Sequence, residues 1–331
     1  MENDGINVLS LFDGMSCGRI ALQRAGFGVD KYYSSEIDKY AITVADANWS
    51  QDKQHRLGDI TKWQDWDIDW SSIDLVIGGF PCQAWSMAGK QLGDKDERGK
   101  LFWVMLDIMK TVRAHNQKAD FLIENVKMKK EFEEYITFHT EQALGTVHKI
   151  LVNSSLVSAQ NRQRYYWTSW ECSQPDDKGI VLADILDDIG FVDREKSHCI
   201  DACYYKGGNL KSYFEKNRRQ LVFKCGSMVG RKINPETGKR DDYNQDLKAV
   251  QRIEVRNDDK TGALTTVQKD NLVVSDDSYR KLTPVECERL QTVPDNYTNC
   301  VSNSQRYKML GNGWTVDIIA HILRGLKEKE N

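Results

Sequence analysis

The chain has 331 residues, 29% charged against 40% hydrophobic, with a mean hydropathy of −0.60. That is enough for one large domain or two modest ones. It excludes a membrane span, because the most apolar run, Leu101 to Met109, is about half of what a bilayer needs and contains Asp107. The formal net charge of −3 argues against a simple basic DNA-coating protein, but the charge is unevenly distributed. Residues 1–80 hold 7 Lys and Arg against 13 Asp and Glu, whereas residues 204–260 hold 14 against 8. This suggests an acidic catalytic half and a basic half facing a polyanion; charge alone is equally compatible with local variation on a solvated surface. The opening Met1-Glu-Asn-Asp4 lacks the basic-then-apolar order of an export signal. The eight cysteines are therefore expected as reduced thiols, and no Cys/His cluster has zinc spacing.

Taken in chain order, the first half alternates strand, loop and helix. Ile6 to Phe12 is a β-prone run, followed by Asp13-Gly14 and then by Gly18 to Ala25 with apolar residues at helical spacing and Gly26 as a stop. Asp30 to Glu36 predicts a second strand and Lys39 to Ala47 a second helix. Asp74 to Gly79 predicts a third, buried strand, Leu101 to Arg113 an apolar helix and Phe121 to Glu124 another strand. Such alternation predicts an open, mostly parallel α/β sheet whose chemistry sits on loops at the carboxyl ends of the strands. From about residue 190 the pattern becomes polar and irregular, with short β-prone pieces such as Leu221 to Phe223, which reads as a second, smaller β-containing domain. Helical periodicity returns at Val316 to Lys327. The expected division is residues 1–189 catalytic, 190–290 a second domain, and 291–331 returning to the first.

Three groups of residues carry chemistry. Gly78-Gly-Phe-Pro-Cys82-Gln83 follows a buried strand, so a turn bounded by glycine and proline can present the Cys82 sulfur to a cleft; a thiol of ordinary pKa, ~8.5, needs a positive or polar setting to act as thiolate. Glu124 ends another apolar strand, an unusual place for an unpaired carboxylate. Parallel strands bring it to the same sheet edge as Cys82. Arg162 and Arg164 fall on one face of the extended segment Ala159 to Trp167, where they could hold Glu124 ionised or grip an anion. Nucleophile, acid and cation together describe an activated-nucleophile site.

With these residues the chain resembles the DNA (cytosine-5) methyltransferases of bacteria and phages, nearly end to end. The shared blocks are Leu11 to Gly14, Ser35 to Asp38, Gly58 to Ile60, Gly79 to Gln83, Glu124 to Val126, Gln160 to Arg164, Arg280 to Leu290 and Leu310 to Asn312. The resemblance implies a fold of the S-adenosylmethionine-dependent methyltransferase type and S-adenosylmethionine as methyl donor. By the family pattern Phe12 stacks on adenine, Asp59 receives the adenine amine, Ile37 and Ile60 sandwich the ring, and Glu36 meets the ribose hydroxyls. Asn312 and Trp314 close the methionine end, with Asp13, Gly14, Met15, Ser16, Phe80 and Leu101 completing the pocket. Cys82 would add to cytosine C6, Glu124 would meet the ring N3 and exocyclic amine, Arg164 the base's carbonyl oxygen, and Arg162 would support Glu124. Two departures stand out: Met15-Ser16-Cys17 holds less glycine than the family's loop, and Gly313-Trp314 stands where many members have Ser-Val.

The implied partner is double-stranded DNA, from which the cytosine is flipped out, and the implied setting is the cytoplasm of a bacterial or phage-infected cell, with the enzyme a monomer within a restriction-modification context. The loop Ala84 to Gly99 resembles the family's lid, with Gln83, Ser86 and Lys90 facing DNA. The second domain occupies the place of the target-recognition region. Lys206, Arg218, Arg219, Arg231 and Lys232 are candidate DNA contacts, together with Lys211, Lys239 and Arg240, and Thr265 resembles the family's threonine on the target phosphate. Rival readings are a tRNA cytosine-5 methyltransferase, whose Cys-Phe-Thr is here Cys203-Tyr-Tyr205, and an inactive DNA-binding relative, which would lack the nucleophile. An amine-directed methyltransferase would need a Pro-Pro that the chain lacks, and a cysteine hydrolase a histidine beside Cys82.

Overall fold

The computed structural model describes residues 5–81, 99–187, 192–207, 210–223, 227–232, 234, 241, 244, 246–254 and 279–330. Its centre is a six-stranded sheet of β1 (Ile6–Leu11), β2 (Val29–Ser35), β3 (Leu75–Gly78), β4 (Asp120–Val126), β5 (His148–Asn153) and β6 (Gln163–Thr168), in the order β2-β1-β3-β4-β6-β5. The first four strands pair in parallel, as the alternation predicts. β6 departs from that pattern and runs antiparallel to both β4 and β5.

The sheet is covered on both faces, which is why β3 and β4 read as continuous apolar runs rather than alternating ones. Successive residues point to opposite faces. Val8, Ile77 and Leu122 pack with α1 (Cys17–Ala25) and α8 (Val316–Glu330), whereas Leu9, Val76 and Ile123 pack with α3 (Lys100–His115) and α4 (Lys130–Leu144). α1 stops at Gly26, whose φ of 80° lets its N–H cap the Gln23 and Leu22 carbonyls.

α8 lies on α1 through the Arg24–Asp317 ion pair (2.7 Å), and the Trp170 indole N–H donates to the Ile322 carbonyl (2.9 Å). Ahead of it in the chain come α2 (Lys39–Asn48), α5 (Leu210–Lys216), α6 (Pro284–Leu290) and α7 (Asn303–Asn312). α6 opens with a capping box in which Thr283 and Glu286 satisfy each other's backbone N–H groups, with Pro284 in the first turn. Leu282, Cys287 and Leu290 belong to the same core as α8.

The smaller region holds two antiparallel pairs. Leu221–Phe223 (β7) pairs with Tyr279–Lys281 (β10), and Ser227–Arg231 (β8) with Val250–Glu254 (β9). Tyr213, Leu221 and Phe223 form a small core of its own. Among the described residues no helix is long and apolar enough to cross a membrane.

Candidate active site

The loops after β1, β2 and β3 meet the end of β4 and the start of β6 around one cavity of about 550 Å³. Twelve of the thirteen residues expected at a methyl-donor pocket line it: Phe12, Asp13, Gly14, Met15, Glu36, Ile37, Asp59, Ile60, Phe80, Leu101, Asn312 and Trp314. Ser16 does not. It turns inward, and its hydroxyl donates to Asp13 Oδ2 (2.6 Å).

The loop after β1 is shaped by three residues with left-handed backbone, Phe12 (φ 56°), Gly14 (φ 59°) and Ser16 (φ 63°). A bulky residue such as Phe12 rarely adopts this conformation, so surrounding bonds must hold it. The Asp13 carboxylate is the hub. It accepts from Ser10 Oγ (2.7 Å), Tyr32 OH (2.6 Å) and Ser16 Oγ. Burial pushes its carboxyl above the usual range, against the pull of those hydrogen bonds. Asp13 therefore serves the pocket by fixing the loop's path. Tyr297 OH adds a bond to the Met15 carbonyl (2.8 Å).

Glu36 ties the first two loops together. Its Oε2 accepts from the Gly14 N–H (2.8 Å), and its Oε1 from the N–H groups of Ile37 and Asp38 (2.7 Å each). This fixes Ile37 at the cavity wall, where the residue is 74% exposed. Asp59 Oδ1 accepts from the N–H (2.9 Å) and hydroxyl (2.8 Å) of Thr61, bonds that hold its carboxyl below the usual range. A Cβ built on Gly14 would meet nothing within 4 Å and would stand in open cavity. Exposed apolar faces, two ordered carboxylates and a bare glycine suit a ligand with a flat ring and hydroxyl or amine donors.

The other end of the cavity centres on Glu124, 9% exposed. Because β6 is antiparallel, its first residues lie beside the last of β4: Val126 faces Arg164, and Glu124 faces Tyr166. Arg164 Nε thus reaches Glu124 Oε1 at 3.0 Å, and the Trp314 indole N–H donates to Oε2 at 3.0 Å. Arg162, expected to support Glu124, does not touch it. Only 3% exposed, it turns to the Gly313 carbonyl (2.8 Å), the Gly311 and Ile200 carbonyls (3.3 Å) and the Cys199 sulfur (3.4 Å). The extended segment puts the two arginines at one cleft, but the nearest acceptors differ.

Two residues without an assigned role in the sequence belong to this end. Asn125 donates from Nδ2 to the Phe80 carbonyl (3.0 Å), anchoring the turn that leads to Pro81. Cys199 sits against both arginines. Desolvation alone would push its thiol up, but the Arg162 and Arg164 guanidiniums outweigh it and hold the thiol below its ordinary value. Nothing in the sequence points to Cys199, because its partners are residues 35 or more positions earlier in a different element. Cys82, Gln83, Ser86, Lys90 and Thr265 lie outside the described residues.

Of the candidate DNA contacts, three gather about residues 201–207. Arg218 pairs with Asp201 (2.7 Å), Arg219 donates to the Gly207 carbonyl (2.9 Å), and the Lys206 ammonium lies 5.8 Å from the Tyr205 ring centroid. Lys232 donates to the Asn244 carbonyl (2.7 Å), apart from these three in sequence, and Arg231 ends β8. The 201–207 segment abuts the cavity through Gly311, where a Cβ would come within 2.3 Å of the Asp201 carbonyl carbon.

The chain is similar to known methyltransferases over nearly its whole length. The Type II methyltransferase M1.ScrFI of Lactococcus lactis subsp. cremoris is 30% identical over 343 residues, covering 97% of this chain and 78% of that protein. The Type II methyltransferase M.HpaII of Haemophilus parainfluenzae is 31% identical over 338 residues, covering 97% and 89%. In fold, the chain is similar to the Entamoeba histolytica methyltransferase EhMeth, with a TM-score of 0.65 at 15% identity over 99% of both chains. The model of the C-5 cytosine-specific DNA methylases, S-adenosylmethionine-dependent enzymes, matches residues 6–328, and the chain belongs to that family: it is a DNA cytosine-5 methyltransferase.

Proposed function

We propose that the two ends of the cavity divide the reaction between them: the loops after β1 and β2 hold S-adenosylmethionine, and the Glu124 end receives a cytosine flipped out of duplex DNA. The observation that carries this reading is the Glu124 carboxylate, held at both oxygens at one end of the cavity whose opposite wall carries Glu36 and Asp59. When bound, S-adenosylmethionine supplies a methyl group on an electron-poor sulfonium. Phe12, Ile37 and Ile60 offer apolar faces to adenine, Asp59 an acceptor for its amine, and Glu36 an acceptor for ribose hydroxyls. Asn312 and Trp314 bound the methionine end.

Cytosine C5 is a poor nucleophile. The Cys82 thiolate adds to C6, and its electron pair makes C5 enamine-like. Glu124 accepts from the exocyclic amine and, as the protonated acid, donates to N3, where negative charge develops, and its partner Arg164 faces the base's carbonyl oxygen. Once C5 carries the methyl group, a base takes the C5 proton. That electron pair restores the C5–C6 double bond and expels Cys82. Residues 84–99 close over the flipped base. Residues 190–290 form the target-recognition domain, with Lys206, Arg218, Arg219, Arg231 and Lys232 toward phosphates and Thr265 at the target phosphate.

The test is covalent trapping on duplex DNA carrying 5-fluorocytosine in the recognised site. Fluorine at C5 cannot leave as a cation, so the methylated adduct stays on the enzyme. The wild type is expected to form the adduct only with S-adenosylmethionine present, and Cys82→Ser to form none. An equal adduct in Cys82→Ser would place the nucleophile elsewhere.

A further inference from the structure

The Trp314 indole N–H donates to Glu124 Oε2 at 3.0 Å, across 190 positions of sequence. A carboxylate held at one oxygen still turns about its last, broad torsion. Arg164 Nε on Oε1 and Trp314 Nε1 on Oε2 fix the plane from both sides. A carboxyl oxygen so held can still accept from the cytosine amine N–H, while N3, itself an acceptor, takes the O–H of the protonated carboxyl.

The indole is seated by its surroundings. A Cβ on Gly79 would come within 3.0 Å of Trp314 Nε1 and 2.8 Å of Glu124 Oε2, so only glycine leaves room for the pair. A Cβ on Gly18 would lie 3.5 Å from the indole Cζ3. The turn that carries Trp314 is held from beneath by Arg162, which donates to the Gly311 and Gly313 carbonyls. The arginine that does not touch Glu124 is thereby connected to it through this turn.

The geometry points to Trp314 as a positioning residue: its N–H orients the Glu124 carboxylate for the cytosine edge, and Arg162 acts on Glu124 through the 311–314 turn. This rests on Glu124 being the group that meets the base. The inferred contribution is to the rate of methyl transfer rather than to cofactor affinity, because the bond is made to the base-binding carboxylate.

The experiment uses the full chain with two variants. Trp314→Phe keeps an aromatic ring and removes the N–H. Its kcat on duplex DNA is expected to fall roughly 10- to 100-fold, the rate equivalent of one hydrogen bond to a charged group, with KM for S-adenosylmethionine within about twofold. In parallel, the indole N–H resonances of nitrogen-15-tryptophan protein are recorded, the Trp314 signal being the one missing in Trp314→Phe. Glu124→Ala is expected to shift that signal, since its acceptor is gone. An unshifted signal, or a Trp314→Phe enzyme of wild-type kcat, overturns the proposal. So does a loss confined to KM for S-adenosylmethionine, which would make Trp314 only a cofactor wall. A Glu124→Ala enzyme with undiminished methylation instead overturns the reading of Glu124 itself, so the two failures are distinguishable.

Discussion

The two ends of the cavity are built on different physical plans. The end formed after β1 and β2 depends on the path of its backbone. Three left-handed residues set its path, and Glu36 spends its carboxylate on three main-chain N–H groups. The Glu124 end is made of side chains. A strand carboxylate, an arginine from an antiparallel neighbour and an indole from a distant turn meet at two oxygens. A backbone-made site fails when its conformation is changed. A side-chain-made site fails when one donor or acceptor atom is removed, because a buried polar group left without its partner bears the desolvation cost.

The sharpest way to break this contrast is Glu124→Gln, which keeps the shape and replaces one acceptor with a donor. Its single-turnover methylation rate is expected to fall about 10²–10³-fold, while affinity for S-adenosylhomocysteine, measured by calorimetry, stays within about threefold. Equal losses in both would mean that the ends are not separable. At the other end the corresponding change is Gly14→Val, which forces a β-branched residue into φ 59° and fills open cavity. Affinity for S-adenosylhomocysteine is expected to drop about 100-fold, or ~3 kcal/mol, and a binding isotherm like that of the wild type would remove this loop from the pocket.

A gentler probe is Glu36→Gln, which retains an acceptor but loses the charge that organises three N–H groups. About tenfold weaker cofactor binding, ~1.4 kcal/mol, is expected, with the circular dichroism spectrum unchanged. The smallest effect on catalysis is expected at Cys199. Cys199→Ser is expected to keep the methylation rate within about threefold, because Arg162 retains its carbonyl partners and Arg164 its pair with Glu124. The thiol itself, held below its ordinary value by Arg162 and Arg164, is expected to react with iodoacetamide at neutral pH ahead of Cys17, whose thiol burial pushes up to about 12. As pH rises, its rate should level off earlier than that of an unperturbed thiol. Peptide mapping of the labelled, folded enzyme distinguishes the two, and preferential labelling of Cys17 would contradict the assignment.

What was legible in the sequence follows the range of the forces involved. β1, β3, β4, α1 and α3 were visible because burial on one or two faces writes a period of its own into the residues. Glu124 was visible because a carboxylate at the end of an apolar strand needs a reason. The direction of β6 was not, since an extended run carries no mark of parallel or antiparallel pairing. That direction decides that Arg164, and not Arg162, meets Glu124. The resemblance implies Ser16 as pocket lining, yet its backbone is left-handed and its hydroxyl donates to Asp13. Trp314 announces itself in the sequence only as an exception, because its acceptor lies 190 positions away.

The turn 311–314 also orders events during synthesis. A ribosome makes β1 to β6, which carry Glu124 and the cofactor loops, well before Asn312, Trp314 and α8. Until Trp314 is made, Glu124 Oε2 lacks its indole donor, and until α8 follows, Arg24 of α1 lacks its partner Asp317. A chain that ends before residue 314 therefore holds the Glu124 carboxylate by Arg164 alone of the two groups that fix it. Vectorial translation thus completes the sheet and the cofactor loops first and the second support of Glu124 close to last.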